Sequence, residues 1–424
     1  MLTSNRFSKL GLLVISIFLL AAYGVHSDPV LDGLINEALQ NSPEIQASQA
    51  RIEAARLRIP QSGSLPDPMF MFGYQNEGFD RYTYGEEQGS QWMFSVTQQF
   101  LFPGKRALKK EMTLRDAESL EAMHELLKLK TVARVKELYY DLFLAYKNID
   151  LIKDKRELFI RIEDVTVARY AAGKAMQQDV LMAQTEKYML LEKEEMFSQK
   201  IQSLEAMLAA TVGRSKGPEI PRPAEPVYQP FPLDIDAAID MALAHSPEIK
   251  SRNKMIEAAN TKLAMANKEY YPDFAVSGSY YNRTGEFKDM WSATATINIP
   301  LYFQSKQKPA VLEAKAGIHQ TERELESTKL MIGAAVRDNY SMLRSAEKLM
   351  DIYKNGLILK SNQDIEQALT GYSTGRTEAV SIISRLKTSL DYEMLYWSQF
   401  VEREKAISRL HAITLGLTAG GEKE

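Results

Sequence analysis

Residues 39–55 read LQNSPEIQASQARIEAA, and residues 243–259 read LAHSPEIKSRNKMIEAA. Nine positions are identical at one constant offset, since 247 − 43 = 204. The match continues with small insertions and deletions: Pro66-Asp67 corresponds to Pro272-Asp273, and Trp92 corresponds to Trp291. Self-similarity at a fixed spacing indicates one structural unit used twice. We therefore predict two repeats, over residues 28–216 and 234–416.

The segment between the two repeats, residues 217–233, is rich in proline. It holds six of the sixteen prolines of the chain: Pro218, Pro221, Pro223, Pro226, Pro230 and Pro232. Proline lacks an amide hydrogen and clashes with the preceding helical turn, so this segment cannot be helix interior. We predict an extended linker here and a short tail over residues 417–424.

Each repeat shows the same order of signals. A helix start comes first, with Ser-Pro-Glu placing proline early in the helix and glutamate near its positive end. Two runs of period two follow, of which residues 291–299 alternate most clearly between Trp, Ala and Ile on one side and Ser, Thr and Asn on the other. Polar, glycine-containing loops separate the runs. We predict β-hairpins over about 66–102 and 272–302.

The two-faced hairpins have two interpretations. A sheet with one apolar face and one face of Ser, Thr, Asn and Gln fits a soluble sandwich with one wet side, or an outer-membrane barrel with lipid outside and water inside. Strand lengths near the roughly 9–11 residues that cross a bilayer favour the barrel. The export signal described next favours it too.

The N-terminus carries the pattern of a secretory signal peptide. Arg6 and Lys9 precede an apolar run over residues 10–22, and Val25-His26-Ser27 resembles a cleavage site. A membrane anchor is the alternative, but thirteen apolar residues are fewer than the roughly 20 that span a bilayer. We predict removal of residues 1–27 and export. The chain has no cysteine, which excludes disulfides and thiolate metal sites.

Long helical segments follow each hairpin, over about 105–213 and 306–415. Apolar residues at steps of three and four predict a coiled-coil seam: Val135, Leu138, Leu142, Ala145, Ile149 and Ile152 in the first repeat, and Leu343, Ala346, Met350, Tyr353 and Leu357 in the second. Gly173 and Gly375 interrupt the two segments and predict turns between antiparallel helices. About 65 residues of helix would extend roughly 100 Å.

These elements predict a mainly α protein with membrane β-hairpins. One chain offers only four strands, which cannot close a barrel without edges whose backbone groups would be unsatisfied in lipid. Eight strands enclose little more than their own side chains, whereas twelve begin to enclose water. We therefore expect a homotrimer with a 12-stranded outer-membrane β-barrel, continued by a periplasmic α-helical barrel.

This duplicated arrangement of hairpin, long helix, Tyr-x-x-Gly break and return helix resembles the TolC-like outer-membrane efflux family. The resemblance covers nearly the whole mature chain. Residues 99–106, QFLFPGKR, are similar to the strand-to-helix junction of members that serve heavy-metal and drug efflux pumps, and residues 299–302, IPLY, are the counterpart in the second repeat.

The resemblance implies a passive duct of a tripartite efflux system. Its partners would be a periplasmic adaptor protein, an inner-membrane transporter of the RND type and the lipid of the outer membrane. In the family, the helical tips contact the adaptor and constrict the periplasmic mouth. The matching adaptor-contacting residues here are Tyr170, Gly173, Lys174, Gln178, Val180, Tyr372, Gly375, Arg376 and Val380. For each of them, simple capping or turning of the helices is the alternative role.

The predicted pore gate departs from the pattern of some family members. Those members place two aspartates on the return helix of the second repeat, where this chain has Ser381 and Ser384. Asp179 in the first repeat keeps a carboxylate, and three copies around a threefold axis would form an acidic ring. We predict Asp179, Ser381 and Ser384 as pore-gate residues, with Asp179 the main charge.

Enzyme chemistry is not visible in the sequence. The five histidines are scattered without metal-ligand spacing, no phosphate-binding glycine loop occurs, and the formal charge of −3 gives no match to nucleic acid. The nineteen methionines fit core filling better than copper binding. We predict no catalytic residues, no metal site, no cofactor and no nucleic-acid partner. A duct for type I protein secretion and a secreted periplasmic coiled-coil protein remain as alternative functions.

Overall fold

The computed structural model describes residues 28–215, 220–373 and 376–414. The predicted leader 1–27, the tail 417–424, linker residues 217–219 and Gly375 lie outside these ranges. The described part is mainly helical with a small sheet, as predicted. Its elements are α1 (Pro29–Asn41), α2 (Pro43–Ser62), β1 (Met69–Gln75), β2 (Gln91–Phe100), α3 (Lys105–Ala171), α4 (Gln177–Thr211), α5 (Ile235–His245), α6 (Pro247–Lys268), β3 (Asp273–Asn282), β4 (Met290–Asn298), α7 (Gln307–Asp351), a π-helix (Ile352–Ile358), α8 (Leu359–Ser373) and α9 (Ala379–Thr414).

The chain divides into two compact units. The first comprises the chain up to Ser42, Lys130–Asp234 and Asp338–Ala412, and the second comprises Pro43–Leu129, Ile235–Arg337 and the chain from Ile413. The first unit is helical apart from the linker. The second unit contains the sheet together with α2, α5, α6 and the N-terminal parts of α3 and α7. No helix in the described ranges is both long and apolar enough to cross a membrane.

Side chains cap the starts of α1 and α6, and the start of α6 is one of the two predicted Ser-Pro-Glu starts. Asp28 precedes α1 and accepts a hydrogen bond from the amide of Val30 at 3.0 Å. Ser246 precedes α6, and its hydroxyl accepts from the amide of Ile249 at 3.4 Å. In both helices proline occupies the first turn, where its missing amide hydrogen has no helical partner to lose. The Ser-Pro-Glu signal thus marks a true helix start.

The four strands form one antiparallel sheet in the order β1-β2-β3-β4. Its register places Phe72, Phe94, Tyr280 and Trp291 in one row across the sheet. Because side chains alternate between faces, the aromatic residues at these and the i ± 2 positions share one face. The opposite face carries mostly Ser, Thr, Gln and Met side chains. The outer edges of β1 and β4 have no strand partner within the described chain.

Two helical pairs and α1 build the core of the first unit. One cluster joins α1, α3 and α4 through Leu34, Leu138 and Leu208, all almost inaccessible to solvent. A second joins α3, α4, α8 and α9 through Ile152, Ala183, Tyr372, Ile382 and further apolar residues. The apolar positions at heptad spacing therefore form the packed seam between helices, as a coiled-coil pattern predicts.

A π-helix changes the seam in the second long helical segment. In α3, the buried residues Ala145, Ile152, Phe159 and Thr166 follow one another at steps of seven. In α7, Leu343 and Met350 are also seven apart, but the next buried member of the seam is Ile365, and 365 − 350 = 15. One extra residue is thus taken up between them, within the π-helix Ile352–Ile358.

This extra residue corrects the predicted seam beyond Met350. Tyr353 and Leu357 were predicted to continue it, yet both lie in the π-helix and are only partly buried. An uninterrupted heptad would next bring polar Asp364 and Gln367 inward. The π-helix instead lets Ile365 and Ala368 face the core, because burying these apolar side chains is more favourable.

Candidate functional site at the helical tips

The first tip is the turn between α3 and α4. Gly173 has φ +69°, a left-handed conformation that costs other residues free energy. The amide of Gly173 donates to the carbonyl of Tyr170 at 2.9 Å, and that of Lys174 donates to Arg169 at 2.8 Å. These bonds satisfy carbonyls left open at the end of α3 and reverse the chain direction. The turn predicted from Gly173 is therefore present.

Most of the predicted adaptor contacts at this tip are open to solvent in the single chain. Tyr170 is 46% exposed, and Gly173, Lys174 and Gln178 are also exposed, whereas Val180 is partly buried. The tip combines an aromatic ring, a cation and an amide. Such a mixed surface can form both apolar contacts and hydrogen bonds with another protein.

The second tip lies between α8 and α9, and its central residues Thr374 and Gly375 fall outside the described ranges. Arg376 is exposed, and its amide donates to the carbonyl of Gly371 at 2.8 Å. Val380 is partly buried. Tyr372, which the sequence assigned to the adaptor surface, is 7% exposed and belongs to the core. Its side chain is turned into the protein.

Tyr372 joins α8 to α3 through two polar contacts and one aromatic contact. Its hydroxyl lies 2.9 Å from the hydroxyl of Thr166, and its carbonyl accepts from the Arg169 guanidinium at 2.9 Å. That guanidinium also lies 4.7 Å from the centroid of the Tyr372 ring. We call Thr166, Arg169 and Tyr372 the tip latch. It fixes the end of the first long helix against the end of the second.

Thr166 and Arg169 were not predicted as functional residues. Arg169 falls in the last turn of α3, where a basic side chain commonly interacts with free carbonyls. Thr166 occupies a seam position, but its hydroxyl gives no signal in the sequence of a partner 206 residues away. Only the packing of the two helices brings them together.

The three predicted gate residues have different surroundings. Asp179 lies in the first turn of α4, where its carboxylate accepts from the amide of Met176 at 3.2 Å and faces the positive helix end. Ser381 accepts from Arg385 at 2.6 Å, and Arg385 also pairs with Asp364 of α8 at 2.7 Å. Ser384 is exposed. Asp179 thus has a capping role whatever its role at a pore.

Ion pairs join α9 to the helices of the first repeat near the tips. Lys387 pairs with Glu186 of α4 at 3.3 Å, and Lys155 of α3 pairs with Glu393 at 2.8 Å. Exposed pairs contribute little each, but three of these four partners, Glu186, Lys155 and Glu393, are less than 20% exposed. The second helical pair is therefore held to the first along its length as well as at the tip latch.

A buried cation joins the two hairpins to the helices of the second unit. Lys105 begins α3, is 1% exposed, and follows Gly104, whose φ of +94° turns the chain out of the strand. Its ammonium group donates to Asp273 at 2.9 Å, to Glu269 at 3.3 Å and to the carbonyl of Tyr271 at 3.2 Å. All three donors have acceptors, as a buried ammonium requires. The QFLFPGKR motif thus encodes an ionic junction.

A cluster of charged and aromatic groups holds the linker in the first unit. The Arg403 guanidinium is fully buried, lies 3.9 Å from the Tyr228 ring centroid, and donates to the carbonyl of Gln229 and to Glu404. Burial raises the pKa of Glu404, against the opposing effect of Arg403. Burial lowers the pKa of Lys136 nearby, although the carboxylates of Asp32 and Glu404 oppose the shift. This cluster stabilises the linker against α9.

His411 lies near the end of α9 in the same cluster. Burial, together with the charge of Lys136, lowers the pKa of His411 to about 4. Its ring centroid is 5.7 Å from that of Phe231. The imidazole is therefore neutral at physiological pH and acts as an aromatic packing group. Within the described ranges, no three His, Asp or Glu side chains are grouped to hold a metal ion.

Comparison with known proteins agrees with this arrangement. A model of the outer membrane efflux protein family matches residues 34–214 and 238–382. Protein CyaE of Bordetella pertussis is 26% identical over 231 residues, or 51% of this chain, and the match spans about half of CyaE's own length, 47%. The nickel-cobalt-cadmium resistance protein NccC of Alcaligenes xylosoxydans xylosoxydans is 21% identical over 326 residues, which cover 76% of this chain and 71% of NccC.

A solved structure shares the fold. The crystal structure of CusC superposes with a TM-score of 0.79 at 13% identity and covers 92% of both chains. The family match argues against the alternative of a secreted periplasmic coiled-coil protein, which the sequence had left open. Since the family match covers more than half of the chain, the protein belongs to the outer membrane efflux protein family, which places it in the outer membrane and not among the enzymes.

Proposed function

We propose that three copies of this chain form a passive duct through the outer membrane. The observation that carries the proposal is the four-stranded sheet, with an aromatic face and two outer edges that lack partners in the described chain. In lipid, each unpaired amide or carbonyl at such an edge costs several kcal/mol. Pairing β1 of one copy with β4 of the next would remove both edges, and three copies would give a closed 12-stranded barrel.

The two faces of the sheet support the same arrangement. Aromatic and aliphatic residues on one face suit contact with lipid, and the Ser, Thr and Gln side chains on the other suit a water-filled lumen. The helices of three copies would continue the barrel into the periplasm. The duct would receive its substrates from a periplasmic adaptor and an inner-membrane transporter of the RND type, which supplies the energy.

The substrates proposed for this duct are small molecules or metal ions rather than proteins. The relative named for resistance to nickel, cobalt and cadmium aligns with three quarters of the chain. Efflux of toxic metal ions or drugs is therefore preferred over type I protein secretion. Deleting the gene and measuring the tolerated concentrations of metal salts and of drugs shows whether tolerance of metal ions, of drugs or of neither depends on the duct.

The helical tips are the proposed docking surface and gate. Tyr170, Gly173, Lys174 and Gln178 are exposed and would contact the adaptor, with Val180, Gly375, Arg376 and Val380 completing the predicted surface. Tyr372 would act indirectly, by holding the two tips together through the tip latch. Asp179, Ser381 and Ser384 would line the periplasmic mouth.

Conductance and oligomeric state test the duct. The protein purified in mild detergent should crosslink to a trimer and conduct ions in a planar lipid bilayer. Replacing Asp179 by Asn should weaken block by divalent cations if three carboxylates form the proposed ring. A monomer that does not conduct would refute the duct, and unchanged block would remove Asp179 from the gate.

Site-directed crosslinking tests the docking surface. The chain has no cysteine, so a single introduced thiol can be labelled selectively with a photocrosslinker. Gln178→Cys at the first tip should capture a periplasmic adaptor in intact cells. Lys315→Cys, at an exposed position of α7 in the second unit, is the matched control and should not. Equal capture at both positions contradicts the proposed surface.

A further inference from the structure

All four methionines of the sheet lie on the same face. Met69, Met71, Met93 and Met290 occupy positions that alternate with Phe70, Phe72, Phe94 and Trp291, so they point away from the aromatic face. Met69 is 52% exposed, Met71 55% and Met290 43% in the single chain. Core filling, the use expected from the sequence, does not describe these side chains.

Three of these methionines are neighbours. Met69 and Met71 are two residues apart on β1, which places them about 7 Å apart along the strand. Met93 on β2 pairs with Gly73, and its terminal methyl carbon lies 3.5 Å from the position that a Cβ of Gly73 would take. The Met93 side chain therefore leans over β1, next to Met71 on the diagonal of the ladder. Diagonal neighbours are within reach of long side chains.

The surroundings of this cluster are polar. Met71 pairs with Ser95, and Met69 pairs with Thr97. The same rows continue across β3 and β4 with Ser279, Ser292, Ser277 and Thr294. Because these thioether side chains are exposed among hydroxyl groups, burial of apolar surface does not stabilise them there. Neither contact with lipid nor packing in a core accounts for methionine at these positions. Their distinctive chemistry is the soft sulfur atom.

We propose that Met69, Met71 and Met93 bind soft monovalent metal ions, Cu(I) or Ag(I), on the polar face of the sheet. Thioethers are soft ligands that prefer Cu(I)-like ions to hard cations such as Mg²⁺ or Ca²⁺. Neutral thioethers without a carboxylate or thiolate partner bind such ions weakly. A weak site suits a passage, because an ion must leave as readily as it enters. The inference rests on the proposed duct in one respect, namely that this face lines the lumen.

Silver titration followed by NMR tests the site directly. The detergent-purified protein, labelled with ¹³C in its methionine methyl groups, is titrated with Ag(I) in chloride-free nitrate buffer. The methyl signals of Met69, Met71 and Met93 should shift at lower Ag(I) concentration than those of methionines outside the sheet. Met71→Leu and Met93→Leu, which nearly conserve volume, should each weaken binding about tenfold or more. Met331→Leu removes an exposed methionine of α7, outside the sheet, and should leave binding unchanged.

The outcomes separate the metal site from the duct. If the methyl signals of Met71 and Met93 do not shift, or shift no earlier than that of Met331, the site does not exist. Because the unmodified protein gives this result, poor folding of a variant cannot produce it. Conductance of the same preparation is measured in parallel: conduction without silver shifts refutes only the metal site, and silver shifts without conduction refute only the duct.

Discussion

Deleting Gly356 should leave the fold of the second long helical segment intact. Gly356 lies in the π-helix Ile352–Ile358, and apart from its chain neighbours and the backbone of its own helix no atom lies within 4 Å of the position that its Cβ would take. The spacing of fifteen from Met350 to Ile365 would become fourteen, which is two heptads. The segment could then continue as an α-helix with the same residues buried. Removing a glycine from a helix also favours helix formation by up to about 1 kcal/mol.

The matched control is deletion of Asp154 from α3. Asp154 is exposed, and its helix keeps the heptad spacing without a π-helix. Losing one residue there rotates the rest of the helix by about 100°. Phe159 and Ile162 would leave the core, and burial of each contributes about 1.5–3 kcal/mol. The deletion should therefore cost about 3–6 kcal/mol.

Thermal unfolding followed by circular dichroism at 222 nm compares the two deletions in the same detergent. We expect the Gly356 deletion to melt within a few degrees of the parent protein and the Asp154 deletion to melt far below it or fail to fold. If deleting Gly356 destabilises the protein as much as deleting Asp154, the π-helix does not take up an extra residue, and the account of the seam is wrong.

Three further predictions concern buried polar groups. Lys105→Met should destabilise the protein by about 2–4 kcal/mol, because it leaves the partly solvated carboxylates of Glu269 and Asp273 without their cation. Asp273→Asn should then cost less stability in the Lys105→Met background than in the parent protein, as a double-mutant cycle of melting curves measures. Tyr372→Phe should cost only about 0.5–1.5 kcal/mol in the same assay, because the Thr166 hydroxyl keeps its bond to the carbonyl of Ile162 at 2.6 Å; a larger loss would show that the latch contributes more than one hydrogen bond. The pKa of His411 falls to about 4 on folding, from an ordinary 6.5, so the unfolded chain takes up a proton first as the pH drops. The contribution of this group to the free energy of unfolding is therefore complete above pH 6.5 and declines toward pH 4 by up to about 3 kcal/mol. His411→Phe should flatten this part of the pH–stability curve, and an unchanged curve would contradict the assignment.

The sequence predicted those features whose causes are local or periodic. Ser246-Pro247 marked a helix start, Gly173 marked a turn, and alternation around Trp291 marked a strand, because each signal depends on neighbouring residues alone. Heptad spacing also identified the buried positions of α3. These signals supported the fold class and the location of the tips.

Features that depend on distant partners could not be predicted in this way. The acceptors of Lys105 come from residues more than 160 positions later, so a lysine after a Pro-Gly turn reads as an exposed helix start. Tyr372 looked like a surface residue because its partner Thr166 lies in the other repeat. The shift of the seam after Met350 could not be predicted, because Tyr353 and Leu357 are apolar and continue the heptad spacing in the sequence.

The capture of the linker by Arg403 has a consequence for the order in which the protein can mature. The guanidinium that stacks on Tyr228 and bonds to Gln229 comes from α9, 174 residues later in the chain. During vectorial export the linker emerges well before α9, so its docking partner does not yet exist. The linker must wait in an undocked form until the last helix has crossed the inner membrane. A chain truncated before α9 would keep this proline-rich segment accessible to periplasmic proteases, which makes cleavage near Tyr228 a marker of incomplete synthesis.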